Sequence, residues 1–454
     1  MKRHLIAGYF SKTDEIGAQP RQHEQLTTID LLRRNATLDH GLGHAIADLQ
    51  KLGVHPSEIG VDLAVLAVHV HAADTRIARS TESQDGWTRE IRLMVPVSDA
   101  KLWKSVAGRI KEMLDFLTGD KWEIEFRARP KQNAKSIPDK PANLLAPSFD
   151  VVNLFSGGLD SLIGAIDSLE DSKTPLFVSH AGEGAVSTSQ EECFHGLSER
   201  YRKKSNFDRL RVWVSFDRGI VNDSEGESTT RGRSFLFFAL GIFAGTGLGH
   251  TFDLVVPENG LIALNVPLDP LRMGALSTRT THPHYIARWN DLVAALGIPA
   301  KIVNPYMLMT KGEMVKNCSN SKLLGELAAH SVSCSSPAKE RYKGQSSGHC
   351  GHCLPCLIRR AALLGNDPTN YALPESDLHK KTLNTRKADG KQVRSLQLAI
   401  DRLSAKPKLA SLLVHKPGPL DRQGYPLPKL ADVYRRGLEE VGRLLKDVKT
   451  KPRK

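Results

Sequence analysis

The residues best equipped for chemistry begin at Ser156-Gly157-Gly158-Leu159-Asp160-Ser161, directly after the apolar run VVNLF and directly before LIGAI. Strand, glycine turn and helix together make an anion-binding construction. Two glycines let the backbone approach a phosphate closely, the first turn of the helix leaves N–H groups without intrahelical partners, and Ser156 and Ser161 add hydroxyl donors. Phe155 through Ser161 are therefore the candidate nucleotide-binding residues: Phe155, Ser156, Gly157, Gly158, Leu159, Asp160 and Ser161. No lysine follows the glycines, so the GxxxxGK[ST] loop is absent and γ-phosphate transfer is disfavoured. A bare carboxylate beside phosphates is repulsive unless a cation intervenes, which makes Asp160 the candidate ligand of a bridging Mg²⁺. The competing reading is an ordinary helix N-terminus with a Ser/Asp cap.

A second cluster has metal-ligand spacing. Four of the six cysteines are Cys334, Cys350, Cys353 and Cys356, the last three inside CGHCLPC. C-x2-C knuckles present adjacent thiolates on a turn, and four soft ligands suit tetrahedral Zn²⁺. Gly351 and Pro355 help to bend the chain there. With its coordination closed, such an ion is structural, and its binding contributes on the order of 10 kcal/mol to local folding. His349 and His352 are rival ligands, and an iron–sulfur cluster is the rival centre. Cys193 and Cys318 stand apart and receive no role; single cysteines are more often small buried hydrophobes than nucleophiles.

The elements that must position these groups follow from periodicity. Residues 1–60 read as mostly loop and helix, with a helix near Leu42–Leu52 and nothing catalytic. From Val61, VDLAVLAVHVHAADTRI and GWTREIRLMVPV read as strands, DAKLWKSVAGRIKEMLDFLTG as an amphipathic helix and KWEIEFRARP as a strand, giving a small α+β unit. RPKQNAKSIPDKPANLLAPSF, with four prolines, reads as a linker. A strictly alternating series follows: DVVNLF, SLIGAIDSLE, TPLFVSH, a helix around Glu191–Lys203, RLRVWVSFD, SFLFFALGIFAG, DLVVPE. Alternation of this kind implies parallel βαβ units in a doubly wound α/β sheet, with ligands at the carboxyl ends of the strands. The expected layout is an N-terminal α+β domain over 1–130, a linker over 131–148, the nucleotide domain over 149–370 with the zinc motif at 334–356, and a helical extension over 371–454.

Length and composition agree with a folded multi-domain chain. Its 454 residues are 40% hydrophobic and 25% charged, close to a globular average, which excludes wholesale disorder. Lys and Arg exceed Asp and Glu by 13, which permits phosphate-rich ligands or nucleic acid without demanding either. The N-terminus is too poor in apolar residues for a secretory h-region, so a cytoplasmic location is expected. Ser234 to Phe252 carries no formal charge, yet its glycines favour a buried helix followed by a turn over a membrane span.

SGGLDS resembles the PP-loop of N-type ATP pyrophosphatases. Followed about 175 residues later by S-C…CGxCxxC and then LIRR, it is similar to the QueC family of 7-cyano-7-deazaguanine synthases over residues 149–365. RGRSFLFFALGIFA and NPYMLMTKGEMV are lesser matches, whereas Arg233-Ser234 replaces the family's Arg-Asn and the first two zinc cysteines stand further apart. The longer layout resembles the QueC-like proteins of anti-phage defence islands, including the Qat type. The resemblance implies an adenine nucleotide alpha hydrolase-like fold and a carbon–nitrogen ligase. Such an enzyme uses ATP and Mg²⁺ to adenylate the carboxylate of 7-carboxy-7-deazaguanine, releases pyrophosphate and forms an amide with ammonia or a protein partner's terminus. It further implies Asp160, Lys311 and Arg233 as catalytic groups, with Arg231 a weaker candidate. Each of these cations has an ordinary solvated reading. His282 and His284 could serve as a base toward the amine, although a loop histidine without function is the commoner case. Glu258-Asn259, after DLVVP, could meet base or ribose, or Asn259 could cap a helix. Two other readings stay open: a PP-loop tRNA-modifying enzyme such as a thiolase, and a non-enzymatic zinc-containing nucleic-acid scaffold.

Overall fold

The computed structural model describes residues 3–452 except 11–13, 15–16, 18, 33–36, 84, 138–148, 183, 218, 222–223, 225, 228, 269–278, 338–347 and 421–423. Most of the expected linker, from residue 138 on, therefore lies outside the described residues, and Lys131–Asn133 forms a short 3-10 turn.

The first part contains β1 (Arg3–Tyr9), β2 (Glu24–Asp30), α1 (Leu42–Lys51), α2 (Glu58–Arg76), α3 (Arg79–Glu82), β3 (Glu90–Val97), α4 (Ala100–Thr118) and β4 (Lys121–Ala128). Its four strands form a parallel sheet in the order β2-β1-β3-β4, with Leu5 opposite Leu26 and Leu93 opposite Ile124. Two expectations need correcting. Residues 1–60 hold two strands, because HLIAGY is a short apolar run that pairs on both sides and is buried along its length. VDLAVLAVHVHAADTRI is helix α2, not a strand. Every residue from Gly60 to Thr75 is buried, Asp62, His69, His71 and Asp74 included, so the helix shows no one-sided stripe. Nineteen residues also exceed what a strand usually spans. Ser57 starts the helix by accepting a hydrogen bond from the Gly60 N–H at 3.3 Å.

The second part contains β5 (Val151–Leu154), α5 (Leu159–Glu170), β6 (Pro175–His180), α6 (Gly184–Tyr201), β7 (Asp208–Val212), α7 (Arg233–Gly245), β8 (Phe252–Val255), α8 (Gly260–Leu264), α9 (Pro283–Ala295), β9 (Ala300–Val303), α10 (Lys311–Asn317) and α11 (Ser321–Leu327). The sheet is parallel in the order β7-β6-β5-β8-β9, as the alternating pattern predicts. Phe155, Phe177, Leu162 and Leu197 pack together on the face that carries α5 and α6, and Leu154, Val178, Phe235 and Trp289 on the face that carries α7 and α9. Chain order reverses between β5 and β8, which is where such sheets open a crevice.

Helices α2 and α7 stack between the two sheets, whose facing side chains form one hydrophobic core. The contact is close. A Cβ on Gly60 would lie 2.4 Å from Thr246 Oγ1, and the Ser57 N–H donates to the same hydroxyl at 3.1 Å. The uncharged stretch from Ser234 is thus a buried helix. No helix among the described residues is long and apolar enough to cross a membrane.

The remainder is helical, as its periodicity predicts: α12 (Leu354–Ala362), α13 (Glu375–Lys380), α14 (Ala388–Ala405), α15 (Leu409–Leu413) and α16 (Leu427–Leu444), with a two-residue ladder between β10 (Leu383–Asn384) and β11 (Thr450–Lys451). Apolar residues of α16, among them Val433, Tyr434 and Leu438, pack into a cluster that includes Leu261 of α8 and Leu357 of α12.

Candidate active site

The glycine segment stands at the carboxyl end of β5, beside the switch point. Gly157 has φ +80°, a conformation that L side chains rarely adopt, and a Cβ there would meet the Gln190 backbone at 3.0 Å. Ser161 Oγ donates to the Gly158 carbonyl at 2.9 Å and lies 3.1 Å from Ser156 Oγ, while Ser156 itself is exposed. Phe155 and Leu159 are fully buried, so their side chains serve the core and only their backbones can face a ligand.

Asp160, in the first turn of α5, meets Lys311, the first residue of α10, with Nζ 2.7 Å from Oδ1. Both side chains are nearly excluded from solvent. The other oxygen of Asp160 accepts from the Asn259 N–H at 3.1 Å and from Asn259 Nδ2 at 2.7 Å. Asn259 also caps α8, accepting from the Ile262 N–H at 3.1 Å. The Glu258 carboxyl completes the cluster beside Asp160, with Asn259 Nδ2 3.2 Å from its Oε1. Burial, and after it the charge of Asp160, pushes the Glu258 carboxyl well above the usual range. For Asp160 burial opposes ionisation, but Lys311 and the bonds from Glu258 and Asn259 outweigh it and hold the group below its ordinary value. Two adjacent carboxyls, Asp160 buried and Glu258 half-buried, thus divide into one anion and one acid.

Lys311 is seated from a distance. Thr310 and Glu313 form a capping box at the start of α10. Glu440 of α16 then accepts from Thr310 Oγ1 at 2.6 Å and from the Gly312 N–H at 2.9 Å, gripping the residues on either side of the lysine. Arg436 of the same helix pairs with Glu313 and donates to the Leu308 carbonyl at 3.0 Å.

The other cations sit elsewhere. Arg233 lies beside His180 and Gly182 at the carboxyl end of β6. Arg231 stacks over Trp87, 3.7 Å from the ring centroid, and donates to the Thr118 carbonyl at 3.2 Å. His282 caps α9 by accepting from the His284 N–H at 3.2 Å, and both rings pack against Phe116. Burial, and then His284 and Arg279, lower His282 to about 3, so it stays neutral in a capping role.

Cys334, Cys350, Cys353 and Cys356 converge with all four sulfurs within 4.8 Å of one another. The Cys334–Cys353 and Cys350–Cys356 separations are 3.8 Å and 4.0 Å. A tetrahedral ion with Zn–S bonds of about 2.3 Å requires sulfurs about 3.8 Å apart, so the cluster could hold zinc. His349 is engaged instead, accepting from the Ser333 N–H at 3.1 Å. Cys193 and Cys318 are buried apart from the cluster, and burial pushes both thiols up to about 12.

The strap that precedes Cys334 touches the glycine segment. The Val332 N–H donates to the Gly157 carbonyl at 2.8 Å, and the Leu159 N–H to Ser333 Oγ at 3.3 Å. Arg359 of α12 holds this strap through Ser331 Oγ at 2.8 Å and the Ala328 carbonyl at 2.6 Å. Cys356→Ser is therefore expected to do more than lower the metal content. Metal analysis should find less zinc per chain, and calorimetry should find nucleotide affinity reduced by about tenfold or more as the strap loosens. Unchanged nucleotide affinity in a zinc-free protein would uncouple the two sites.

A parallel sheet with a glycine bend at its switch point and a buried Asp–Lys pair beside it places polar and charged groups where open sheets of this kind take their ligands. Residues 281–367 match the family model described as "Queuosine biosynthesis protein QueC". This span runs from α9 through α12 and contains Lys311 and all four clustered cysteines, while the glycine segment lies outside it. The match supports an ATP-using enzyme in the broad sense. A search of curated proteins finds no match.

Sequence reasoning singled out Asp160 and the four cysteines from local signals, and Lys311 from the family resemblance. It missed the pairing of Glu258 with Asp160 and the grip of Glu440, both made between elements distant in sequence.

Proposed function

We propose that this chain is a QueC-like ATP-dependent ligase that activates the carboxylate of 7-carboxy-7-deazaguanine and joins it to an amine. The observation that carries the reading is the Asp160–Glu258–Lys311 cluster beside the glycine bend, in the crevice where a parallel sheet takes its ligand. Backbone N–H groups of residues 156–161 and the N-terminus of α5 receive the phosphates. A carboxylate oxygen of the substrate attacks the α-phosphorus, the α–β P–O bond breaks, and pyrophosphate leaves with the electron pair. The amine nitrogen then attacks the acyl carbon, AMP departs, and an amide results once the nitrogen loses its proton.

Lys311 meets the negative charge that grows on the polyphosphate as the bond opens, while Arg233 stands at the start of α7 beside His180. Two carboxyls that share one proton form a donor set whose proton a divalent cation can replace, so Asp160 and Glu258 would hold Mg²⁺. Mg²⁺ there neutralises polyphosphate charge. The clustered cysteines would hold zinc as a structural ion that keeps the strap on the glycine bend.

The segments flanking the nucleotide sheet support an acceptor larger than ammonia, such as the terminus of a protein partner, and with it a role in anti-phage defence. The test is direct. Purified chain given ATP, Mg²⁺ and 7-carboxy-7-deazaguanine should release AMP and pyrophosphate in equal amounts, and mass spectrometry of proteins encoded nearby should find a deazaguanine-sized adduct. Release of neither product would end the ligase reading.

A further inference from the structure

The N-terminal part of the chain reaches the carboxyl end of the second sheet. Helix α2 passes the carboxyl end of β6, where His71 and His180 meet edge to face with ring centroids 5.5 Å apart. They are 8% and 3% exposed, so each is more than nine-tenths buried. Among the described residues, Nδ1 of His71 and both ring nitrogens of His180 have no hydrogen-bond partner. A buried nitrogen left without a partner costs about 1–3 kcal/mol, and three on two adjoining rings call for partners.

Arg233, at the start of α7, reaches the same spot. A Cβ on Gly182 would lie 3.5 Å from His180 Cε1 and 3.8 Å from Arg233 Nη2. The start of α7 is itself docked on α2, since the Gly232 N–H donates to Asp74 at 2.8 Å. Burial, followed by Arg233 and Arg76, lowers His71 to about 4; burial, His71 and Arg233 lower His180 well below its usual value. Both rings are therefore neutral at neutral pH, each offering one donor and one acceptor. The spot adjoins the phosphate segment: Gln190 Nε2 donates to the His180 carbonyl at 3.2 Å and to the Ser156 carbonyl at 3.4 Å.

Neutral imidazoles that both give and accept, beside a planar guanidinium, match the edge of a flat nitrogen heterocycle better than a phosphate, which would want further cations. We propose that His71, His180 and Arg233 form the subsite for the heterocycle of one of the two reactants, so that α2 completes the site. The proposal rests on the ligase reading. The two reactants share this chemistry, as adenine in one and deazaguanine in the other, and the experiment separates them.

Calorimetry would use two probes, α,β-methylene-ATP with Mg²⁺ and 7-carboxy-7-deazaguanine, on the full chain and on His71→Gln and His180→Asn. The expected result is binding of one probe weakened at least tenfold in both variants, with the other unchanged within twofold; the weakened probe names the reactant. Unchanged binding of both probes in variants that keep the parent's unfolding midpoint would overturn the proposal and leave buried water as the occupant. Should a variant fail to fold, the ¹⁵N ring signals of His71 and His180 in the unaltered chain decide: both shift with one probe, or the proposal falls. If the unaltered chain binds neither probe, the ligase reading fails and takes this proposal with it.

Discussion

Lys311→Ala is expected to reduce pyrophosphate release by a factor on the order of 10²–10³, with a fall in thermal stability alongside it. Lys311 Nζ stands 2.7 Å from Asp160, with 5% and 7% of the two side chains exposed, so the ammonium neutralises a carboxylate that bulk solvent scarcely reaches. Removing it leaves the Asp160 anion, beside the Glu258 carboxyl, with Asn259 as its main support. Breaking a buried pair by deleting one partner costs about 3–5 kcal/mol. The functional loss must therefore be separated from the structural one. Unfolding followed by circular dichroism gives the stability term, and release of pyrophosphate per folded chain gives the catalytic one. Lys311→Arg keeps the charge but not the compact ammonium, and should recover stability more than rate. A Lys311→Ala protein with the parent's rate per folded chain would remove this residue from the reaction.

Glu258→Gln is expected to have opposite effects on stability and on function. The native fold holds the Glu258 carboxyl well above the ordinary range, by burial first and then by Asp160. Between the ordinary carboxylate value and that raised native value, the unfolded chain gives up the proton while the folded chain keeps it. The unfolded state then binds fewer protons, so stability falls as pH rises through this window. Glutamine resembles the protonated acid in shape and can still donate to Asp160, but it does not titrate. The variant should therefore gain about 2–3 °C in unfolding midpoint at pH 8 and almost nothing at pH 5, measured without divalent cations. It should also lose the second carboxylate for Mg²⁺, with Mg²⁺-dependent nucleotide binding weakened by about tenfold or more. A gain that is the same at both pH values would mean that Glu258 is not held protonated by the fold.

The legible parts of this molecule were those written in consecutive residues. SGGLDS after a buried strand and before a helix fixes its own surroundings, and three cysteines within seven positions can only cluster. Lys311 was reached through the resemblance of NPYMLMTKGEMV to a family segment, and the structure adds the Thr310–Glu313 cap that starts its helix. Helix α2 was misread because VLAVHVHA satisfies an alternating pattern, and only the length of the run, together with burial on all sides, distinguishes it from a strand. Strands β1 and β2 were missed because a short apolar run has no periodicity of its own. The meeting of Asp160 with Glu258 depends on β5 lying next to β8, a fact of sheet order that no window of sequence contains. The same holds for His71, which reaches His180 only because α2 crosses between two sheets.

Glu440 lies about 130 positions beyond the lysine whose neighbours it grips. The start of α10 has its own cap in Thr310 and Glu313, and α16 adds two further bonds through Glu440 to the residues that flank the cation. The aim of Lys311 is in this way shared between stretches of chain that meet only once the whole fold has closed.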